Sequence, residues 1–184
     1  ETAARRVRYA FFERVMSRRG IPTLLTAHHA DDNLETVLER LLRGSGTRGM
    51  GGIPPTRLMG GRNGYPPTVL YRPLLEWTKR DILTACAELG LRYITDSTNL
   101  ETDCTRNRIR HTVIPALEAI AGEDAPQRAA TKLSRIARED DGFLTAMAET
   151  RVEGSPAPHG EGASLAELGE LHPAVSKRIL MLLY

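Results

Sequence analysis

Apolar positions alternate between helical spacing and short strand-like runs over the first part of the chain, then keep helical spacing alone. Residues 2–19 carry Val7, Ala10, Phe11 and Val15 at helical intervals, and Gly20 stands where such a helix ends. Pro22 opens a short strand through Leu24 and Leu25 to Ala27. Leu34, Val37, Leu38, Leu41 and Leu42 then define an amphipathic helix from Asp31 to Arg43, closed by Gly44. Thr68–Tyr71 reads as a second strand. Thr78 caps a helix with Asp81 in capping-box position and Ile82, Leu83, Ala85, Cys86 and Leu89 on its inner face. Leu91–Thr95 reads as a third strand. Residues 126–150 form a long helix along Ala129, Leu133, Ile136, Ala137, Phe143, Leu144 and Met147. Residues 154–162 are a glycine- and proline-rich connection, and helix resumes from Leu165, with Pro173 at a helix start. The pattern predicts an α/β fold, a partial parallel sheet with helices over residues 1–115, followed by a smaller all-α region over 116–184.

Between these elements, residues 44–67 are rich in glycine and proline and read as a long connection, with Gly60–Gly64 at a hairpin tip. The piece Gly44-Ser45-Gly46 could line phosphates with backbone N–H groups, although it lacks the lysine of a P-loop.

Charge changes the picture through its distribution. The net charge is only +2 over 184 residues, but Arg5, Arg6, Arg8, Arg14, Arg18 and Arg19 crowd the first helix and Arg106, Arg108 and Arg110 crowd another segment. Such clusters fit a polyanion, or are simply solvated. Arg106 and Arg110 are four apart, hence on one helical face, and basic residues at a helix start oppose the macrodipole, which favours a functional role. Cys86 and Cys104 lack metal-type or redox-pair spacing, which fits a reducing, cytoplasmic setting; no apolar run is long enough to span a membrane. Both ends fall inside helical patterns, so the chain reads as a fragment.

The densest chemistry lies in Thr26–Thr36, where His28, His29, Asp31, Asp32 and Glu35 fall within eight residues at the carboxyl end of the first strand. Ligands of open α/β sheets gather at strand carboxyl ends. One acid there is ordinary helix capping; a row of three with two imidazoles exceeds what a cap needs. Such a cluster can hold a divalent cation, bind a substrate ammonium or move protons, and spacing does not choose among these. The third strand would bring Asp96 and Asn99 to the same rim.

In order along the chain stand Ala4-Arg5-x-x-Arg8-Tyr9, Ala27-His28-His29-x-Asp31-Asp32-x-x-Glu35-Thr36, Arg43-Gly44-Ser45-Gly46, Arg72-Pro73-Leu74-Leu75, Asp96-x-x-Asn99 and Arg106-Asn107-x-x-Arg110. This succession resembles the tRNA(Ile)-lysidine synthetase family of N-type ATP pyrophosphatases, whose catalytic domain is adenine-nucleotide α-hydrolase-like. The resemblance implies a two-step reaction. ATP adenylates the wobble cytidine of an isoleucine tRNA, and free L-lysine then displaces AMP. It implies catalytic roles for Arg8, His28, Asp31, Asp32 and Glu35, with Asp32 and Glu35 holding the lysine ammonium, and nucleotide or tRNA contacts for Gly44, Ser45, Gly46, Arg106 and Arg110. It implies no metal ligands within this chain: Mg2+ would travel with ATP on a Ser-Gly-Gly-x-Asp-Ser loop that these residues do not contain. A homodimer is compatible with the resemblance, and a membrane partner is not expected. The competing readings are a tRNA cytidine thiolase of the same superfamily, a metal-dependent phosphohydrolase, and a non-catalytic tRNA-binding module. Without the nucleotide loop, the isolated chain is expected to release no pyrophosphate from ATP with lysine and tRNA present; robust turnover in a pyrophosphate-release assay overturns that expectation.

Overall fold

The computed structural model describes residues 2–60, 66–94, 105–153 and 165–183. Its order is α1 (Thr2–Arg19), β1 (Thr23–Leu25), α2 (Ala30–Leu42), α3 (Thr47–Met50), β2 (Thr56–Met59), β3 (Thr68–Tyr71) and α4 (Lys79–Glu88). Then come α5 (Thr105–Arg108), a π-helical turn (Ile109–Val113), α6 (Ile114–Ala121), α7 (Ala125–Glu153), α8 (Leu165–Glu170) and α9 (Pro173–Leu183).

The sheet has three described strands in the order β1-β3-β2. β1 runs parallel to β3 with Leu24 opposite Leu70, and β2 pairs antiparallel to β3 with Leu58 opposite Val69. The sheet is therefore mixed. The connection expected over 44–67 contains α3 and β2, whose short runs are masked by flanking glycines and prolines. β2 and β3 pair as a hairpin around residues 60–67, and Gly61–Gly64 lie outside the described residues. Leu70 is fully buried and Met59 nearly so, while Leu25, Leu58, Val69 and Tyr71 on the opposite face stay exposed.

Two expectations need correction. Leu91–Ile94 is not a strand: Leu91, Tyr93 and Ile94 are exposed, because no described strand edge lies alongside to pair with them. Its polar end, Asp96 to Asn99, lies outside the described residues. In α1 the predicted inner positions Val7 and Phe11 are exposed, and the helix instead buries Met16 and half-buries Tyr9 and Phe12. Apolar residues are scattered round this helix, so spacing could not select the face. α1 meets the hairpin through Tyr9 under the Arg57 guanidinium and Glu13 accepting the Gly60 N–H at 3.3 Å.

Local chemistry explains the other helices. Thr78 accepts the Asp81 N–H at 3.1 Å while Asp81 accepts the Thr78 N–H at 2.9 Å, the reciprocal cap that starts α4. Its expected inner face is only half-buried, and Leu89 is exposed. Pro115 has no N–H to return to the preceding turn. The turn before it widens, with the Ile114 N–H reaching Ile109 O, so α5, the π turn and α6 continue as one helix.

Helix α7 holds the layers together. Its first half joins Ala130 to Leu34, Ile109 and Ile114 in one buried cluster, with Leu38 against it. Its second half packs Ala148 against Val175 and Ile179 of α9. The first cluster crosses residue 115, so the two expected regions share a core. Asn33, buried in α2, donates to Ser134 Oγ at 3.1 Å and accepts the Ile53 N–H at 2.8 Å. Arg40 donates to Gly49 O and Gly52 O at 2.9 and 2.8 Å, and Arg138 donates to Gly51 O at 2.6 Å. This clamp fits only glycine at 52: φ is +59°, and a Cβ would stand 2.2 Å from Asn33 Oδ1 and 2.6 Å from Ser134 Oγ. Gly52→Ala is expected to cost about 2–3 kcal/mol in urea unfolding, against about 1 kcal/mol for Gly20→Ala. Gly20 shares the left-handed backbone, with φ +62°, but has open space around it.

Candidate active site

Helix α2 begins where the chain leaves β1, and its first turn presents Asp31 and Asp32 at an N-terminus that favours negative charge. Asp32 accepts the His29 backbone N–H at 3.0 Å, which fixes the approach to the helix. One turn further, Glu35 points inward and is 1% exposed. A carboxylate this deep needs full compensation. Arg106 and Arg110 provide it from α5 and the π turn. Arg106 Nε donates to one Glu35 oxygen, and Arg110 Nε donates to the other at 2.6 Å. Arg106 Nη2 also donates to Asp32 Oδ1 at 2.7 Å. The four-residue spacing thus puts both arginines on one face, turned towards the acids.

Asp31 is held differently. It accepts the Lys79 N–H at the start of α4 at 2.8 Å and the Gln127 side-chain amide from α7 at 3.1 Å. Gln127, 2% exposed, also donates to Glu118 at 2.8 Å. His29 Nδ1 lies 3.2 Å from Asp31 Oδ2, and Nε2 lies 3.6 Å from Asp32 Oδ2. Burial alone would raise the Asp31 carboxyl, but the His29, Lys79 and Gln127 hydrogen bonds outweigh it and hold the carboxyl at about 2. Burial likewise works against a charged His29, yet the Asp31 hydrogen bond and the charges of Asp32, Asp31 and Glu35 raise the imidazole above its ordinary value. These residues line a cleft of about 450 Å3 with Lys79, Arg110, Ile114, Pro115, Glu118 and Gln127. That volume suits a small ligand.

The sequence-predicted residues do not all converge. Asp31, Asp32, Glu35, Arg106 and Arg110 come together as one network. Glu35 is shut off from a ligand, since both oxygens are bound to guanidinium groups, and so the ammonium-holding role implied for it does not fit this geometry. His28 Nδ1 faces Thr26 Oγ1 at 3.0 Å, and the cleft is lined by its neighbour His29. Arg8 is exposed on α1, and no described contact joins it to the cluster. Gly44, Ser45 and Gly46 follow the far end of the thirteen-residue α2, ~20 Å along its axis. There the N–H groups of Gly44 and Ser45 bond to Leu41 O and Arg40 O at 3.0 Å, closing the helix instead of facing a phosphate. Sequence reasoning places His29 in the cluster without giving it a role, and it does not single out Lys79, Glu118 or Gln127. Lys79 stands beside a recognisable cap, but nothing local marks Glu118 or Gln127.

A family model described as a PP-loop domain matches residues 1–117. The chain belongs to the PP-loop family. Among curated relatives, the tRNA(Ile)-lysidine synthase of Parabacteroides distasonis is 49% identical over 120 residues, 65% of this chain and 25% of the relative. That of Bacillus subtilis is 40% identical over 155 residues, 83% of this chain and 30% of the relative. That of Salinispora tropica is 37% identical over 180 residues, 98% of this chain and 52% of the relative. The chain thus spans between a quarter and about half of these relatives' length. The PP-loop match agrees with the α/β architecture, and no described helix is long and apolar enough to cross a membrane.

Two consequences of the network can be measured. Glu35→Ala would leave two partly exposed guanidinium groups, with side chains 26% and 31% exposed, without the carboxylate that binds both, and should cost about 1–3 kcal/mol in chemical denaturation. His29 has a folded value above its unfolded value of about 6.5. Its stabilising contribution is therefore complete below pH 6.5 and is lost as pH rises through the folded value. The stability difference between wild type and His29→Gln should be largest near pH 5.5 and shrink by pH 8.5, as read from urea midpoints; a difference independent of pH contradicts the pairing.

Proposed function

We propose that this PP-loop chain is the lysine-accepting part of a tRNA(Ile)-lysidine synthase. In that reaction ATP adenylates the wobble cytidine of an isoleucine tRNA with release of pyrophosphate, and free lysine displaces AMP. The observation that carries the reading is the charge balance of the cleft in a chain with 37–49% identity to enzymes of that name. Asp31, Asp32, Glu35 and Glu118 line the cleft; Arg106 and Arg110 answer Asp32 and Glu35, whereas Asp31 and Glu118 are met by amide, imidazole and backbone donors, which leaves negative charge in surplus while His29 is neutral. The surplus suits one further cation, and the ammonium of lysine is such a group. Since Asp32 and Glu35 are engaged by the arginines, the surplus charge sits towards Asp31 and Glu118. Glu35, Arg106 and Arg110 then serve to hold the wall of the cleft.

The acids do not fit a Mg2+ ion. Among the described residues no group of histidine, cysteine, aspartate or glutamate side chains is arranged to hold a metal, and the oxygens nearest the centre accept from guanidinium and amide donors. The exposed arginines of α1, Arg8 among them, suit the phosphates of tRNA, whose attraction is long-ranged and salt-dependent.

Glu118→Gln in the full-length protein tests the reading, because it removes the surplus charge while keeping a partner for Gln127. The lysine KM is expected to rise about tenfold, equivalent to about 1.4 kcal/mol, with tRNA affinity within about twofold. A wild-type protein that binds tRNA but shows no lysine-dependent AMP release would instead be a binding module.

A further inference from the structure

The geometry points to His29, paired with Asp31, as the general base that takes the proton from the attacking amine. This rests on the lysine-accepting reading above and deepens it by naming the proton acceptor.

The tautomer follows from the contacts. Asp31 is an ionised carboxylate that also accepts from the Lys79 N–H and the Gln127 amide, so it can only accept from the imidazole. His29 Nδ1 therefore carries the proton shared with Asp31, and the lone pair of neutral His29 lies on Nε2. The acidic partner orients the ring and stabilises the imidazolium once it forms, as paired carboxylates do in other acid–base sites. Asp31 is itself fixed from two further elements, α4 through Lys79 and α7 through Gln127. His29 lines the 450 Å3 cleft and is partly accessible, its side chain 21% exposed, whereas His28 is directed to Thr26. The charged groups around the ring are Asp31, Asp32 and Glu35 of α2, Lys79 of α4, Arg106 of α5, Arg110 of the π turn and Glu118 of α6. Their carboxylates favour the protonated ring, so His29 accepts a proton readily.

The step balances as follows. The ε-ammonium gives one proton to His29 Nε2, and the freed lone pair forms the C–N bond at the adenylated ring carbon. The C–O bond to AMP breaks with its electron pair leaving on the AMP phosphate. The nitrogen sheds a second proton to solvent, and His29 returns its own to solvent.

Single-turnover measurements on the full-length protein separate the two half-reactions. In His29→Gln, pyrophosphate release should stay within about threefold of wild type while lysine transfer slows by roughly 100-fold or more, so that adenylated tRNA accumulates. The limb of the wild-type transfer profile that rises through the His29 titration should disappear. In His29→Ala, added imidazole should restore transfer at least tenfold. Equal loss of both half-reactions, or transfer within threefold of wild type, overturns the assignment. A wild-type protein that adenylates tRNA without using lysine overturns the lysine-accepting reading itself, and His29 with it.

Discussion

The buried Glu35 carboxylate, shared between Arg106 and Arg110, is the contact on which the rest of the site depends. It joins α2 to the α5–α6 helix across more than seventy residues of chain. Leu34, Ile109, Ile114 and Ala130 close a core around the same two elements and α7. A buried charge is costly unless it is answered, and here each oxygen is answered by a separate guanidinium. The π turn belongs to the same solution. Pro115 cannot continue a regular ladder, and the widened turn that accommodates it carries Arg110 to Glu35.

Helix α7 is the second determinant. It reaches the site through Gln127, the core through Ala130, Asn33 of α2 through Ser134, and the Gly51–Ile53 backbone through Arg138. A region that reads as a separate helical appendage therefore completes the cleft. At Gly52 the left-handed backbone and the approach of Asn33 and Ser134 coincide, so the glycine-rich stretch acts here as a joint between layers.

What could be read from the sequence was what local chemistry decides. The cap at Thr78 and Asp81, the amphipathic stripe of α2, the long α7 and the shared face of Arg106 and Arg110 all rest on spacings of a few residues. What could not be read depends on distant partners. β2 has too few residues to signal itself between glycines and prolines, and the segment after α4 has strand-like alternation without an edge to pair with. The inward face of α1 is not set by spacing, because apolar side chains occur all round it. Glu118 and Gln127 are ordinary helical residues until the fold brings them beside Asp31.

The choice between His28 and His29 shows how long-range register becomes chemistry. Along an extended segment successive side chains point to opposite sides, so two adjacent histidines cannot both face the cleft. Which one does is set by the pairing of β1 with β3, continued by the Thr26 N–H to Tyr71 O bond at 3.0 Å, and by the Ala30 N–H to Trp77 O bond at 2.8 Å. A slip of one residue would exchange the two rings. It would also move the start of α2 and carry Asp31 away from Lys79 and Gln127. The short parallel pairing therefore contributes more than its few hydrogen bonds of stability. It selects the imidazole that meets the carboxylate, and with it the proton chemistry open to the cleft.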